Sequence, residues 1–285
     1  MATIRNPIEW GADQLKEAGA SLKTAGHAVQ GEHEETAAPS VRRIEISDLR
    51  QVLAKGVEDF GANRSDVLFL AIVYPLAGLI LSRVAFDYDL LPMLFPLISG
   101  FALLGPVAAI GLYELSRRRE RGLEVSWSKA FGMVTAPSFG AIVALGLILL
   151  GIFMLWLAAA QGIYLWTLGP EPPASFSAFV TAVFTTGPGW TMIVAGCGIG
   201  FLFAVLVLAI SVVSFPLLID RDVGVATAIG TSVKAVRANP LPMAAWGMIV
   251  TAGLVLGSIP ALLGLIVVMP VLGHATWHLY RKVVV

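Results

Sequence analysis

Residues 138–167 read SFGAIVALGLILLGIFMLWLAAAQGIYLWT and contain no Asp, Glu, Lys or Arg. As a helix rising ~1.5 Å per residue, this stretch is long enough to cross the ~30 Å hydrocarbon core of a bilayer. It lies within a longer charge-free run, 130–170, and two further runs without charge occupy 172–219 and 238–280. Each run exceeds the roughly 20 apolar residues that a span needs. The chain is therefore predicted to be a polytopic membrane protein.

Composition supports this prediction and excludes some other classes. Of the 285 residues, 57% are hydrophobic and 13% are charged, against roughly a quarter charged in soluble domains. Nineteen basic residues balance nineteen acidic ones, so no basic surface argues for nucleic-acid binding. The single cysteine, Cys197, leaves no partner for an intramolecular disulfide or a thiolate metal cluster.

The predicted fold is an all-α integral membrane domain with six transmembrane helices. The spans are placed at 67–84, 91–116, 138–167, 190–219, 241–257 and 260–281. The last charge-free run is divided because residues 257–260, Gly-Ser-Ile-Pro, favour a tight break. Prolines at 75, 96, 106, 216 and 270 could kink the spans and turn free carbonyls toward a cavity.

The basic residues predict the orientation of these spans. If the N-terminus is inside, 18 of the 19 Lys and Arg residues fall on the cytoplasmic side, and Arg83 is the exception. Lys and Arg are retained on the cytoplasmic side of membrane proteins. Both termini are therefore predicted to be cytoplasmic.

Shorter stretches near 47–61, 126–134 and 223–238 carry apolar residues at helical spacing and end at a break. Each precedes a pair of spans, which predicts three hairpin modules (47–119, 126–221 and 222–282), each preceded by a cytoplasmic interfacial amphipathic helix. A fourth such helix, after Ser175, is expected on the opposite side. The alternative is that these helices are ordinary connectors packed against the spans.

The first 40 residues differ from the membrane domain, which we assign to 41–285. Ile8, Leu15, Leu22 and Val29 recur every seven residues, and a polar tract follows at 31–40. This pattern is typical of a weak amphipathic helix on a flexible polar tail, although plain disorder fits it equally.

Two histidines near the C-terminus, His274 and His278, stand one helical turn apart on one face. Aligning the ends of the first and third modules gives Glu114 the position that corresponds to His278. If the second and sixth spans are adjacent, we expect Glu114 to come within hydrogen-bond or single-water reach of one histidine. A shared polar neighbourhood is also favoured because a lone buried carboxylate or imidazole is costly. The predicted cluster at the cytoplasmic end comprises Tyr113, Glu114, Arg117, Asp220, Arg221, His274 and His278.

Three roles remain open for this cluster: structural anchoring, movement of protons or a solute, and metal binding. An i, i+4 histidine pair supplies two metal ligands, but a stable site needs a third or fourth. No nucleophile elbow, phosphate-binding glycine loop or pair of intramembrane carboxylates occurs. We therefore expect no enzymatic activity, no cofactor and no bound metal.

Small residues are predicted to form packing surfaces between spans. Gly196 and Gly200 share a face of the fourth span, and Gly253 and Gly257 share a face of the fifth. Small residues at this spacing let helices approach closely.

Three segments resemble one family: GPVAAIGLYELSRRRERG, SFPLLIDRDVGVATAIGTSVKAVRANP and PVLGHATWHLYRK. The chain is similar over about 40–283 to a bacterial integral membrane family catalogued as domain of unknown function 2189. The resemblance implies a protein of the bacterial inner (cytoplasmic) membrane without an established activity.

Two functions are compatible with these observations. The first is a scaffold or accessory factor that acts through its cytoplasmic face and interfacial helices, with the bilayer and a membrane-protein partner as its contacts. The alternative is a transporter or passage for a small or apolar solute through proline-kinked spans. A cavity reaching the middle of the membrane would favour transport, and a closed bundle would favour the scaffold.

Overall fold

The computed structural model describes residues 39–62, 88–131, 136–260 and 263–285, together with Gly78. Apart from Gly78, the predicted first span, 67–84, therefore lies outside the described residues, and so does nearly all of the predicted tail. Within those ranges the secondary structure is helical, apart from one isolated antiparallel β-bridge between Val41 and Val284.

The helices of the described part are of two kinds, 3₁₀-helices and α-helices. Residues Tyr88–Met93 and Ala102–Leu104 are 3₁₀-helical. In chain order the α-helices are α1 Ile46–Ala62, α2 Leu94–Phe101, α3 Gly105–Ala108, α4 Ile110–Glu120, α5 Trp127–Phe131, α6 Phe139–Thr167, α7 Phe176–Thr185, α8 Gly187–Ser211, α9 Ser214–Asp220, α10 Val225–Ala238, α11 Pro240–Ser258 and α12 Leu265–Val283.

Four helical stretches of the described part are long and apolar enough to cross a membrane: Leu91–Glu120, Phe139–Thr167, Gly187–Asp220 and Pro240–Ser258. They correspond to the predicted second, third, fourth and fifth spans. Large apolar side chains on their outer faces remain exposed, as expected for helices surrounded by lipid. Among these, Leu147 on α6, Phe201 on α8 and Met248 on α11 are 62%, 66% and 71% exposed.

Two of these spans are interrupted near a proline. The 3₁₀ stretch at 102–104 begins four residues before Pro106, and the turn at 212–213 begins four residues before Pro216. A proline ring clashes with the carbonyl four residues earlier and lacks the N–H that would bond to it. By contrast, Pro270 lies inside α12 without ending it.

The predicted sixth span does not meet the same criterion. Helix α12 is 19 residues long, yet it is not among the four apolar stretches because its second half carries both histidines, Arg281 and Lys282. That half is buried against protein, with Ala275, Trp277 and Tyr280 at most 1% exposed. The second half of helix α12 therefore belongs to the protein core at one end of the molecule, and a sixth span is not confirmed.

Helix α1 packs along this buried half of α12. Its residues Leu49 and Val52 are 2% and 1% exposed, and Gly56 lies against the backbone of α12. A Cβ built at Gly56 would meet both Ala275 Cβ and Val271 O at 2.7 Å. Only glycine permits this approach, which sets the distance between the two helices.

A buried asparagine holds the segment that leads into α1. Asn239, between α10 and α11, is 2% exposed. Its Oδ1 accepts from the Ile44 amide at 2.7 Å, and its Nδ2 donates to the Arg42 carbonyl at 3.0 Å. Together with the β-bridge between Val41 and Val284, this places the beginning and the end of the described chain side by side.

The predicted short helices are present, and their predicted position at a membrane surface is not confirmed. Helices α5 and α10 lie within the stretches named from the sequence, and α1 extends one residue beyond its stretch at each end. Helix α7 follows Ser175, whose side chain accepts from Ala178 N as a helix cap. The predicted glycine surfaces are partly occupied. A Cβ at Gly200 would lie 3.1 Å from Trp156, and one at Gly253 3.2 Å from Val268, but one at Gly196 would meet nothing within 4 Å among the described residues.

Candidate functional site

A buried hydrogen-bond network links helices α1, α4 and α12 at one end of the bundle. Ser116 Oγ donates to Asp59 Oδ2 at 2.6 Å, and His278 Nε2 lies 2.8 Å from the same oxygen. Ser116 Oγ also lies 2.7 Å from His274 Nδ1. These four residues, the Asp59 network, bring together side chains separated by up to 219 positions in the chain.

The donor and acceptor capacity of each side chain determines which atoms of this network carry protons. An ionised carboxylate only accepts, so His278 donates from Nε2 and Ser116 gives its single proton to Asp59. His274 must then carry a proton on Nδ1 and donate it to Ser116 Oγ. The two histidines share one face of α12 because they are four residues apart, which lets one helix serve both ends of the network.

The surroundings of Asp59 favour its charged form. Burial alone would raise the pKa of this carboxyl, but the hydrogen bonds from His278 and Ser116 outweigh burial and hold the pKa below its ordinary value. Arg119 Nη1 adds a cation 3.3 Å from Asp59 Oδ1. The carboxylate is therefore a paired charge among side chains that are largely removed from solvent.

Glu114 lies near this network, but its recorded partners are arginines of its own helix. Its oxygens accept from Arg117 Nη1 and Arg118 Nε, both at 2.9 Å. The carboxylate that meets the histidines is that of Asp59, where we had expected Glu114. Arg117 and Arg118 lie three and four residues after Glu114, on the same face of α4. The carboxylate of Glu114 therefore forms its ion pairs within its own helix.

Asp220 forms a second centre at the end of α9. Its carboxylate accepts from Arg121 Nη2 at 2.7 Å, Tyr280 Oη at 2.8 Å and Arg281 Nη1 at 3.4 Å. Arg281 also bonds to Glu120, whose other oxygen accepts from Trp277 Nε1 at 2.9 Å. We call the ion pairs of the four carboxylates Asp59, Glu114, Glu120 and Asp220 the polar layer.

The structure thus places the seven predicted residues at one end of the bundle but in separate groups. His274 and His278 join Asp59, whereas Glu114, Arg117 and Asp220 form a chain of ion pairs. Tyr113 is 3% exposed and lies against Thr276 of α12. Arg221 follows Asp220 and borders a cavity beside the polar layer.

Sequence reasoning missed Asp59 and Ser116. A signal for Asp59 was present, because residues 49, 52, 56 and 59 follow one helical face and three of them are apolar or glycine. A carboxylate on the buried face of an amphipathic helix requires a partner. No comparable signal identifies Ser116, since a serine at the end of a span is ordinary.

The chemistry open to the Asp59 network is limited by access. Ser116 and His274 are 1% and 0% exposed, so no substrate can meet them in this conformation. Among the described residues, no group of three or more His, Cys, Asp or Glu side chains is arranged to hold a metal ion. The geometry instead ties three helices together.

A family model described as "Predicted integral membrane protein (DUF2189)" matches residues 94–220. The resemblance seen in the sequence is confirmed over this part of the chain. The matched region includes the motif at 105–122, the beginning of the motif at 214–240, and three of the four carboxylates of the polar layer, Glu114, Glu120 and Asp220. No curated protein and no solved structure matches the chain.

Proposed function

We propose that this protein is a membrane scaffold or accessory factor that acts through its polar end, and that this end faces the cytoplasm of a bacterial cell. The observation that carries the proposal is the set of ion pairs between helices distant in sequence. Asp59 joins α1 to α4 and α12, while Asp220 joins α9 to α4 and α12. Lys282 adds a pair to Asp48 at 2.7 Å.

Such cross-linking suits a fixed docking platform. A transporter must let parts of its structure separate at each face in turn. Here several charged contacts would have to break together, leaving buried carboxylates without partners, which is costly. The outer face of α1, with Arg50, Gln51 and Lys55 exposed, is the surface that we assign to partner binding.

The interrupted span α8–α9 also supports the scaffold. Transporters use broken helices to turn backbone groups toward a cavity. At this break Val213 N donates to Ser232 Oγ at 3.3 Å. Ser211 Oγ donates to the Val207 carbonyl of its own helix, and Ser214 Oγ, at the start of α9, donates to the Ile210 carbonyl of α8. Val213 and the three serines are at most 2% exposed, so the break is closed by side chains of α8, α9 and α10.

The structure suggests different surroundings for the short helices. Helix α1 buries its apolar face on α12, which favours the packed-connector interpretation. Helix α10 leaves Ile229, Val233 and Val236 half-buried, and we propose that these three side chains reach the membrane surface.

A photo-reactive residue at position 51 tests partner binding. In native membranes it should form a discrete protein adduct larger than the 30.2 kDa chain. Adduct formation should be lost in Arg50→Glu/Lys55→Glu, because the surface charge that guides the partner is reversed. The matched control is Lys234→Glu, an exposed cation on α10, which should leave the adduct unchanged. A transporter without a partner would give no adduct from position 51 in any variant.

Cysteine labelling tests the orientation in a Cys197→Ala background. Val284 is 3% exposed, so Val285, which is 55% exposed, is the better C-terminal position, with Ser40 as its N-terminal counterpart. In spheroplasts both should resist an impermeant maleimide and react with a permeant one. Ala174→Cys, in the exposed connection between α6 and α7, should react with either reagent. Impermeant labelling at 40 or 285 would reverse the assigned topology.

A further inference from the structure

A cavity of about 430 Å³ opens beside the polar layer, between the end of α4, the beginning of α6 and the end of α9. This volume falls within the roughly 300–1,000 Å³ of small-molecule sites. Its walls carry four cationic side chains and three carboxylates. The cations are those of Arg117, Arg118, Lys129 and Arg221.

The carboxylates in the wall are largely engaged by these and other cations. Both oxygens of Glu114 accept from arginines, and Asp220 pairs with Arg121 and Arg281 outside the cavity lining. Asp222 is the third carboxylate, so the lining contains one more cationic than anionic side chain. The cavity therefore has a small excess of positive charge.

Two further features of the wall favour an anion. The buried Nε of Arg117 donates no hydrogen bond within the described residues, and Asp220 Oδ1 lies 3.7 Å from it. Residues 136–138, which immediately precede α6, also line the cavity, and Ser138 does not cap the helix with its side chain. The positive dipole end of a 29-residue helix thus borders the cavity.

The position of the cavity identifies the source of the anion. Its lining comes from the terminal residues of three candidate spans, which is the depth at which phospholipid phosphates lie. Beyond the cavity, α6 continues with Val143, Leu147 and Leu150 exposed, on a face where acyl chains can lie. We propose that this cavity binds the phosphate of an anionic lipid headgroup. Basic pockets between spans bind such headgroups.

Titration calorimetry of the purified full chain in neutral detergent tests the site with three ligands: short-chain phosphatidylglycerol, short-chain phosphatidylcholine and inorganic phosphate. The variant Lys129→Gln/Arg221→Gln removes two wall cations and should weaken phosphatidylglycerol binding roughly 30-fold, since each surface cation contributes about 1 kcal/mol. The matched control is Lys234→Gln/Arg237→Gln, two exposed cations on α10 outside the cavity, which should bind like the wild type.

Each outcome decides the proposal. Equal affinity of the wall variant and the control for phosphatidylglycerol would overturn it, and so would equal affinity of the wild type for phosphatidylcholine, because the headgroup charge would then not matter. Inorganic phosphate binding as tightly as the lipid would assign the site to free phosphate instead. If the double variant does not fold, Lys129→Glu alone, at an exposed position, should still weaken lipid binding. This test is independent of the scaffold proposal.

Discussion

Replacing Asp59 by alanine is expected to destabilise the protein by about 3–5 kcal/mol, as for other buried ion pairs that lose one partner. The substitution removes the carboxylate that accepts from both Ser116 and His278. Those donors are then left in a buried site without their acceptor, and Arg119 loses a nearby anion. The measurement is the free energy of unfolding in detergent, followed by loss of helical circular dichroism with denaturant.

The neighbouring residue provides the control. Glu58 is exposed, and only its backbone carbonyl contacts Arg119, so Glu58→Ala should change the free energy of unfolding by no more than about 0.5 kcal/mol. Asp59→Asn should fall between the two, because the amide oxygen still accepts one hydrogen bond. If Asp59→Ala were no more destabilising than Glu58→Ala, the network would not stabilise the fold.

The same network predicts a pH dependence. The folded-state pKa of Asp59 lies below its ordinary value of 3.8, so the unfolded chain binds this proton more readily. The resulting stability is fully present above the ordinary pKa and is lost as the pH falls through the folded one. Acid titration of the unfolding free energy should therefore show a smaller decline below pH 3.8 in Asp59→Asn than in the wild type.

Replacing Gly56 by leucine should destabilise by about 3 kcal/mol, near the upper end for overpacked cores. A side chain there would collide with Ala275 Cβ and the backbone oxygen of Val271, and a helix backbone cannot yield as a flexible side chain can. Helix α1 must then move away from α12, which also pulls Asp59 from His278. Unfolding free energy is again the measurement.

Gly61 in the same helix is the matched control, because a Cβ at that position meets nothing within 4 Å among the described residues. Gly61→Leu should be neutral or slightly stabilising, since leucine favours the helix more than glycine does. The double variant Gly56→Leu/Asp59→Ala should lose less than the sum of the single losses, because both act on one interface. If the two losses of unfolding free energy were strictly additive, the substitutions would act independently, and the position of α1 would not depend on Gly56.

The spans were predictable because the cost of placing a charge in hydrocarbon is local. The helix Phe139–Thr167 matches the predicted 138–167 almost to the residue, and Pro240–Ser258 matches 241–257. The end of the molecule was harder to predict. A charged residue at the end of a helix can form an ion pair within its own helix or with a residue of another helix. Sequence spacing predicts only the pairs within one helix.

Glu114 illustrates this limit. The alignment of two helix ends drew attention to a carboxylate and a histidine at corresponding positions, but the structure gives each a different partner. Glu114 had arginines at i+3 and i+4, and these contacts require no change in the packing of other helices. His278 instead contacts Asp59, because α1 packs directly against α12 although the two helices lie at opposite ends of the sequence.

Hydropathy and charge along the chain were enough to establish the membrane environment, the limits of the apolar helices and the end of the bundle where the charges gather. Each of these features depends on the hydropathy and charge of residues that are neighbours in the sequence, and these properties do not depend on how the helices pack. Which charges pair, and that the second half of α12 is buried, depended on how the helices pack. The pairing of Asp59 with His278 rests on the close approach of α1 and α12 at Gly56, and a contact across more than 200 residues leaves no periodic trace in the chain.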